Sequence, residues 1–171
     1  MTTYLIASNE MMCRILARRM EGQGLPAPVR WITPDWLLQN DADPLAAALA
    51  DAPVRADIAL IDCSGFPGDP RSLLDYVQER LAPRRWLVLS DALDAELMQH
   101  AARLGASGCL AVPAPVELVC AAAALAWAGG QCFPRSALSL LRASGPMPAP
   151  ALRASSGLSP ALRPDGSTAM G

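Results

Sequence analysis

The sequence contains no lysine, and all 14 of its basic residues are arginine. Against 16 acidic residues they leave a formal net charge of -2, so the composition favours neither nucleic acid nor an acidic membrane surface as a partner. A hydrophobic fraction of 52% excludes a chain that is disordered throughout. The 171 residues are enough for one domain with its own core, plus an appendage.

Long uninterrupted apolar runs are also missing. The N-terminus lacks a basic region followed by an apolar stretch, so no secretory signal is expected. The longest apolar stretch, Cys109 to Ala128, is broken by Pro113, Pro115 and Glu117, whereas a membrane span needs roughly 20 apolar residues. We therefore expect a cytoplasmic protein without a membrane partner.

Cysteine pairs and histidine are scarce as well. The five cysteines form no CxxC pair, and we interpret them as reduced, mostly buried thiols. Cys63 is predicted to be inert, because nothing adjacent would depress its pKa. His100, the single histidine, is interpreted as a surface residue, because no cysteine or acidic residue lies at metal-binding spacing from it. With no Gly-rich phosphate loop and no Ser/His/Asp set, we expect no enzyme.

What the sequence does contain is an alternation of strands and helices. The predicted strands are Tyr4–Ala7, Val29–Thr33, Ala56–Asp62, Trp86–Leu89 and Cys109–Val112, and the predicted helices are Met11–Met20, Pro44–Ala52, Arg71–Leu81, Ala92–Leu104 and Val116–Ala128. Five alternations predict an α/β fold: a flavodoxin-like, doubly wound, five-stranded parallel sheet with helices on both faces. The strand ending at Asp62 delivers a carboxylate to the sheet edge where ligands bind in such folds.

The composition changes after Arg135. Residues 136–171 hold seven serines, five prolines and four glycines, and their most promising helix is Ser136–Ala143. We predict one folded domain over residues 1–134 and a linker or disordered tail over residues 135–171.

Three segments resemble a known family. Trp86–Asp94 and Leu104–Pro113 look like the fourth strand, fourth helix and fifth strand of a bacterial response-regulator receiver domain, and Ala128–Pro134 resembles the end of that domain in NarL/LuxR-type regulators. The resemblance covers residues 4 to about 134. It implies that a histidine kinase is a partner and that the aspartate ending the third strand, here Asp62, accepts the phosphoryl group.

The acidic pair that holds magnesium in the family falls on Ser8 and Asn9, with Glu10 just beyond. Magnesium is usually held by one or two carboxylates together with water and phosphate oxygens. A hydroxyl and an amide at these positions leave Asp62 as the main metal ligand. Magnesium is therefore expected to bind weakly, and no other cofactor is expected.

Three further family positions bear on the chemistry. Ser90 matches the switch hydroxyl that contacts a phosphoryl oxygen, although it could equally be a strand-end residue satisfied by backbone. Cys109 stands where the family has an aromatic ring. Val112, before Pro113, stands at the lysine position, and only an arginine could replace that charge. Since phosphoryl transfer depends on charge compensation, Asp62 is expected to react slowly at most.

Two functions remain open. We favour a degenerate pseudo-receiver that acts in signal transduction and transcriptional regulation through protein contacts, with little or no phosphorylation of Asp62. The alternative is a phosphorylatable receiver using Asp62, truncated from a DNA-binding regulator. Gly157–Pro160 resembles the opening of the DNA-binding domain of such regulators, but 11 residues follow Pro160, so this chain alone is not expected to bind DNA.

The fourth helix, fifth strand and fifth helix form the face that receiver domains use for partners. Here this face has an apolar composition, with Leu97, Met98, Leu118, Val119, Leu125, Trp127 and the alanine run Ala121–Ala124. We expect it to mediate homodimerisation or binding to another regulator.

Overall fold

The computed structural model describes residues 1–39, 56–137 and 139. In chain order the strands and helices are β1 (Thr3–Ile6), α1 (Glu10–Met20), β2 (Val29–Ile32), α2 (Pro34–Gln39), β3 (Ile58–Asp62), α3 (Pro70–Leu81), β4 (Arg85–Ser90), α4 (Ala95–Arg103), β5 (Gly108–Ala111) and α5 (Val116–Trp127). The predicted helix Pro44–Ala52 and nearly all of the predicted tail lie outside the described residues.

The five strands lie parallel in one sheet with the order β2-β1-β3-β4-β5. This is the flavodoxin-like order, in which the direction of winding reverses between β1 and β3. The predicted doubly wound fold is confirmed. Within the described ranges, none of the helices combines the length and the apolar composition that crossing a bilayer requires.

Two core layers cover the faces of the sheet. Tyr4, Ile61 and Trp86 belong to the layer that packs against α2, α3 and α4. Their neighbours Leu5, Leu60 and Leu87 point the other way, into the layer beneath α1 and α5. Because both faces of the sheet are covered, the central strand β3 is a nearly continuous apolar run, and all five of its residues are buried.

Side-chain caps determine where the helices begin. Asp69 accepts a hydrogen bond from the Arg71 backbone N–H at 2.9 Å and starts α3. Asp94 accepts one from the Leu97 N–H at 2.8 Å, so α4 begins at Ala95, three residues later than predicted from Ala92. Past the end of α4, Gly105 has a φ of +88°, the left-handed conformation expected of a glycine that ends a helix.

After α5 the chain returns to the edge of the sheet. The Cys132 N–H donates to the Ser107 carbonyl at 2.9 Å, and the Cys109 N–H donates to the Cys132 carbonyl at 2.9 Å. A Cβ at Gly108 would collide with the Cys132 carbonyl, so this close approach requires glycine. The segment around Cys132 therefore covers the beginning of the outer edge of β5.

Candidate functional site

The carboxyl ends of three neighbouring strands bring the predicted site together. Asp62 is the last residue of the central strand β3. On one side β1 ends at Ile6, which pairs with Ile61, and Ser8 follows it. On the other side Ser90 ends β4. The structure thus places Asp62 between the loops that carry Ser8 and Ser90.

Asp62 is held by its own loop. It is 6% exposed, and its Oδ1 accepts a hydrogen bond from the Ser64 backbone N–H at 2.9 Å. Within residues 1–39 and 56–137 no arginine forms an ion pair with it. A loop amide, and not a cation, is therefore the group that contacts this carboxylate.

The side chains at the acidic-pair positions have other contacts. Ser8 is exposed. Asn9 caps α1, its Oδ1 accepting from the Met12 N–H at 3.1 Å. Glu10 pairs with Arg14, with 2.6 Å between Oε1 and Nη2. In the described part of the chain no three His, Cys, Asp or Glu side chains are grouped to hold a metal. These residues do not fit a magnesium ion.

The lysine and aromatic positions carry neutral side chains. Val112 is half-buried and packs against the core layer beneath α1 and α5, while Pro113 beside it is exposed. Cys109 is 1% exposed, and burial raises its pKa to about 12. Neither position supplies positive charge beside Asp62.

Two hydroxyl groups organise the loop after β4. The Ser90 Oγ accepts a hydrogen bond from the Ala92 N–H at 3.1 Å. Its hydroxyl therefore has a backbone partner, as expected if Ser90 is a strand-end residue satisfied by backbone. The Ser64 Oγ accepts from the Asp91 N–H at 3.1 Å. Sequence reasoning missed Ser64 and Asp91. The sequence signal for these residues was their position alone. Ser64 stands two residues after an aspartate that ends a strand, and Asp91 follows β4 directly.

Two buried thiols, one in each core layer, feel the charge of Asp62. Burial is the main cause that raises the pKa of Cys63 to about 12, and the negative charges of Asp62 and Asp91 act in the same direction. Burial, with Asp62 and Glu10, likewise raises the pKa of Cys13 to about 12. These thiols stay protonated at neutral pH, in agreement with the prediction that Cys63 is inert.

His100 contacts an acidic residue that the sequence pattern did not reveal. Its Nε2 lies 2.8 Å from Oδ1 of Asp75 on α3. Farther along the same two helices, Arg71 Nη1 lies 3.2 Å from Glu96 Oε2. The residues of each pair are 25 positions apart, so the sequence pattern of one helix could not reveal them.

The predicted partner face is only partly exposed. Leu97, Met98 and Val119 are buried against the sheet and do not form a surface. Leu118 and Leu125 of α5 are 47% and 46% exposed. The apolar part of this face therefore lies chiefly on α5.

No family model matches the sequence, and no curated protein matches it. Solved structures do match. The isolated REC domain of RcsB from Salmonella enterica serovar Typhimurium, solved with the phosphomimetic BeF3−, is 16% identical, with 82% of this chain and 97% of that chain covered and a TM-score of 0.58.

Two further solved structures show the same similarity. A LuxR family DNA-binding response regulator from Silicibacter pomeroyi is 23% identical over 80% of this chain and 99% of that chain, with a TM-score of 0.53. A response regulator from Burkholderia pseudomallei was solved with a phosphorylated aspartic acid, a calcium ion and citrate. It is 23% identical over 84% of this chain and 72% of that chain, with a TM-score of 0.51. At these identities the comparison establishes the fold: this chain folds as a receiver domain.

Proposed function

We propose that this chain is a degenerate receiver domain that transmits a signal through protein contacts, with little or no phosphorylation of Asp62. The observation that carries the proposal is the loss of positive charge around Asp62. Val112 packs into the core where a lysine would reach the site, and Glu10 is paired with Arg14. A transferred phosphoryl group spreads negative charge over its oxygens and needs cations to offset it.

Asp91 adds negative charge to the surroundings of Asp62. Asp91 follows Ser90 directly, and both Asp62 and Asp91 act on the thiol of Cys63. A phosphoryl group on Asp62 would carry a charge of about -1.5 to -2 into this surrounding. Like charges in a partly buried site raise the free energy of the phosphorylated state.

Incubation with acetyl phosphate and Mg²⁺ tests the proposal. Intact-mass measurement should show much less than one phosphoryl group per chain, with the same low signal for Asp62→Ala. A stoichiometric mass gain that Asp62→Ala abolishes would overturn it and establish the second candidate, a phosphorylatable receiver served by a histidine kinase. That candidate is favoured by the retention of Asp62 and Ser90 at their strand ends.

We further propose that the partner of the α4–β5–α5 face is a second copy of this chain. Leu118 and Leu125 are exposed on α5 with the exposed Ala121 between them, one helical stripe. Glu117 is the single charged residue of α5, and it already pairs with Arg19, with 3.3 Å between Oε1 and Nη2. Two such stripes can face each other around a two-fold axis without like-charge repulsion.

Light scattering at rising protein concentration should show the mass of a dimer for the native chain. Leu125→Glu should remain monomeric, because burying like charges at a two-fold contact costs several kcal/mol, a loss on the order of 100-fold or more in affinity. Ile15→Glu changes a residue of similar exposure, 44%, on α1 and serves as the matched control, expected to dimerise normally. A native monomer at all concentrations, or equal effects of both variants, would contradict the interface.

A further inference from the structure

The loop after β3 is joined to the loop after β4 by a short series of hydrogen bonds. The Asp62 Oδ1 accepts the Ser64 N–H at 2.9 Å, which fixes the turn that carries Ser64. The Ser64 Oγ then accepts the Asp91 N–H at 3.1 Å, across 27 residues of sequence. The carboxylate therefore acts on the second loop through a side chain of the protein itself.

The first two amides of the loop after β4 are both engaged. Asp91 N–H donates to Ser64, and Ala92 N–H donates to the Ser90 Oγ at 3.1 Å. Backbone N–H groups in a loop beside an acceptor aspartate are the kind of donor that a phosphoryl oxygen would use. Here serine hydroxyl oxygens already occupy those donors.

The helices that follow these loops are joined as well. Arg71 and Glu96 connect α3 to α4 at 3.2 Å, and Asp75 and His100 connect them again at 2.8 Å. Both pairs lie at the surface, where solvent screens them, so each is a weak link between the helices. The Ser64 contact lies nearest to Asp62, and it is the one that links the site to the position of α4.

We infer that Ser64 is a positioning residue that holds the β4–α4 loop in one permanent arrangement. It thereby takes over the role that a phosphoryl group on Asp62 would have in positioning this loop. This inference rests on the proposed function and deepens it, because it names the contact that replaces phosphorylation. The orientation of α4 is then set by the protein alone. In this arrangement Asp62 acts as the hydrogen-bond acceptor that orients Ser64.

Hydrogen exchange measured on the full chain tests this role. Ser64→Ala should speed amide exchange in a peptide covering residues 91–93 by about three- to tenfold, the effect expected from losing one hydrogen bond. Ser64→Thr keeps the hydroxyl and should exchange like the native chain. Ser72→Ala, which changes an exposed serine on α3, is the matched control and should leave these amides unaffected.

Unchanged exchange in Ser64→Ala, or the same change in Ser72→Ala, would overturn the inference. Tryptophan emission, to which the buried Trp86 contributes, verifies that each variant is folded. Adding beryllofluoride and Mg²⁺ to the native chain should leave exchange at residues 91–93 unchanged, and protection of these amides by beryllofluoride would count against Ser64. Phosphoryl labelling of the native chain decides the proposed function separately, because that experiment does not involve Ser64.

Discussion

Restoring the charged side chains that receiver domains place around the acceptor should make Asp62 accept a phosphoryl group readily. In the triple variant Ser8→Asp, Asn9→Asp and Val112→Lys, we expect the rate of labelling by acetyl phosphate with Mg²⁺ to rise on the order of 100-fold or more, the typical effect of one preorganised electrostatic contact. The two new carboxylates supply the hard ligands that Mg²⁺ prefers, and the lysine supplies the missing positive charge.

The fold can accommodate these three changes. Ser8 and Asn9 are exposed, so new carboxylates there remain hydrated. Aspartate at position 9 still accepts the Met12 N–H that Asn9 now binds at 3.1 Å, so α1 keeps its cap. Val112 is half-buried at the end of β5, where a lysine can cover the core with its aliphatic part and extend its amino group outward.

Two controls separate charge from other effects of the substitutions. Val112→Met in the same background gives a long side chain without the charge and should recover little of the gain. Adding Asp62→Ala to the triple variant should abolish labelling. If the triple variant labelled no faster than the native chain, the missing charges would not be what limits Asp62, and the proposed cause of degeneracy would be wrong.

The fold was predictable because its signals are local. The apolar runs of β3 and β4 and the amphipathic pattern of α3 follow from packing a sheet between two layers of helices. The place of Asp62 follows from strand polarity, since parallel strands end at one edge. The start of α4 was missed because Asp94 resembles any loop aspartate until its carboxylate is seen to accept the Leu97 N–H.

The contacts that define the site were not predictable in this way. Ser64 and Asp91 are 27 residues apart and meet because β3 and β4 are neighbours in the sheet. His100 and Asp75 are 25 apart and meet because α4 lies beside α3. Arg84, just before β4, lies over the ring of Trp127 at the end of α5, with 5.9 Å to the ring centroid, although the two residues are far apart in sequence. Side-chain partners across a parallel sheet depend on crossover geometry, which periodicity does not encode.

Raising the pH above about 9 should destabilise the protein steeply because three thiols are buried in their neutral form. Cys13, Cys63 and Cys109 each have a pKa of about 12 in the fold, caused first by burial. In the unfolded chain a thiol has a pKa of about 8.5. Between these values the unfolded chain has lost protons that the folded chain keeps, so stability is full below about 8.5 and falls as pH rises toward 12.

Each buried thiol contributes a slope of up to about 1.4 kcal/mol per pH unit, and the three together about 4 kcal/mol per unit. Small domains have a free energy of unfolding of about 5–15 kcal/mol. Urea denaturation should therefore show that most of this free energy is lost within two or three pH units. Tyr4 and Cys120, whose pKa values burial also raises, add to the loss in the same direction.

Cys63→Ala should lower stability at pH 8 through the cavity it leaves, yet reduce the slope between about pH 9 and 11 by roughly a third, because one of the three main titrating groups is gone. Val77→Ala creates a cavity at a fully buried, non-titrating position and should lower stability equally at every pH. An unchanged slope in Cys63→Ala would mean that this thiol ionises within the fold, and the loop beside Asp62 would then be open to solvent rather than held closed by its hydrogen bonds.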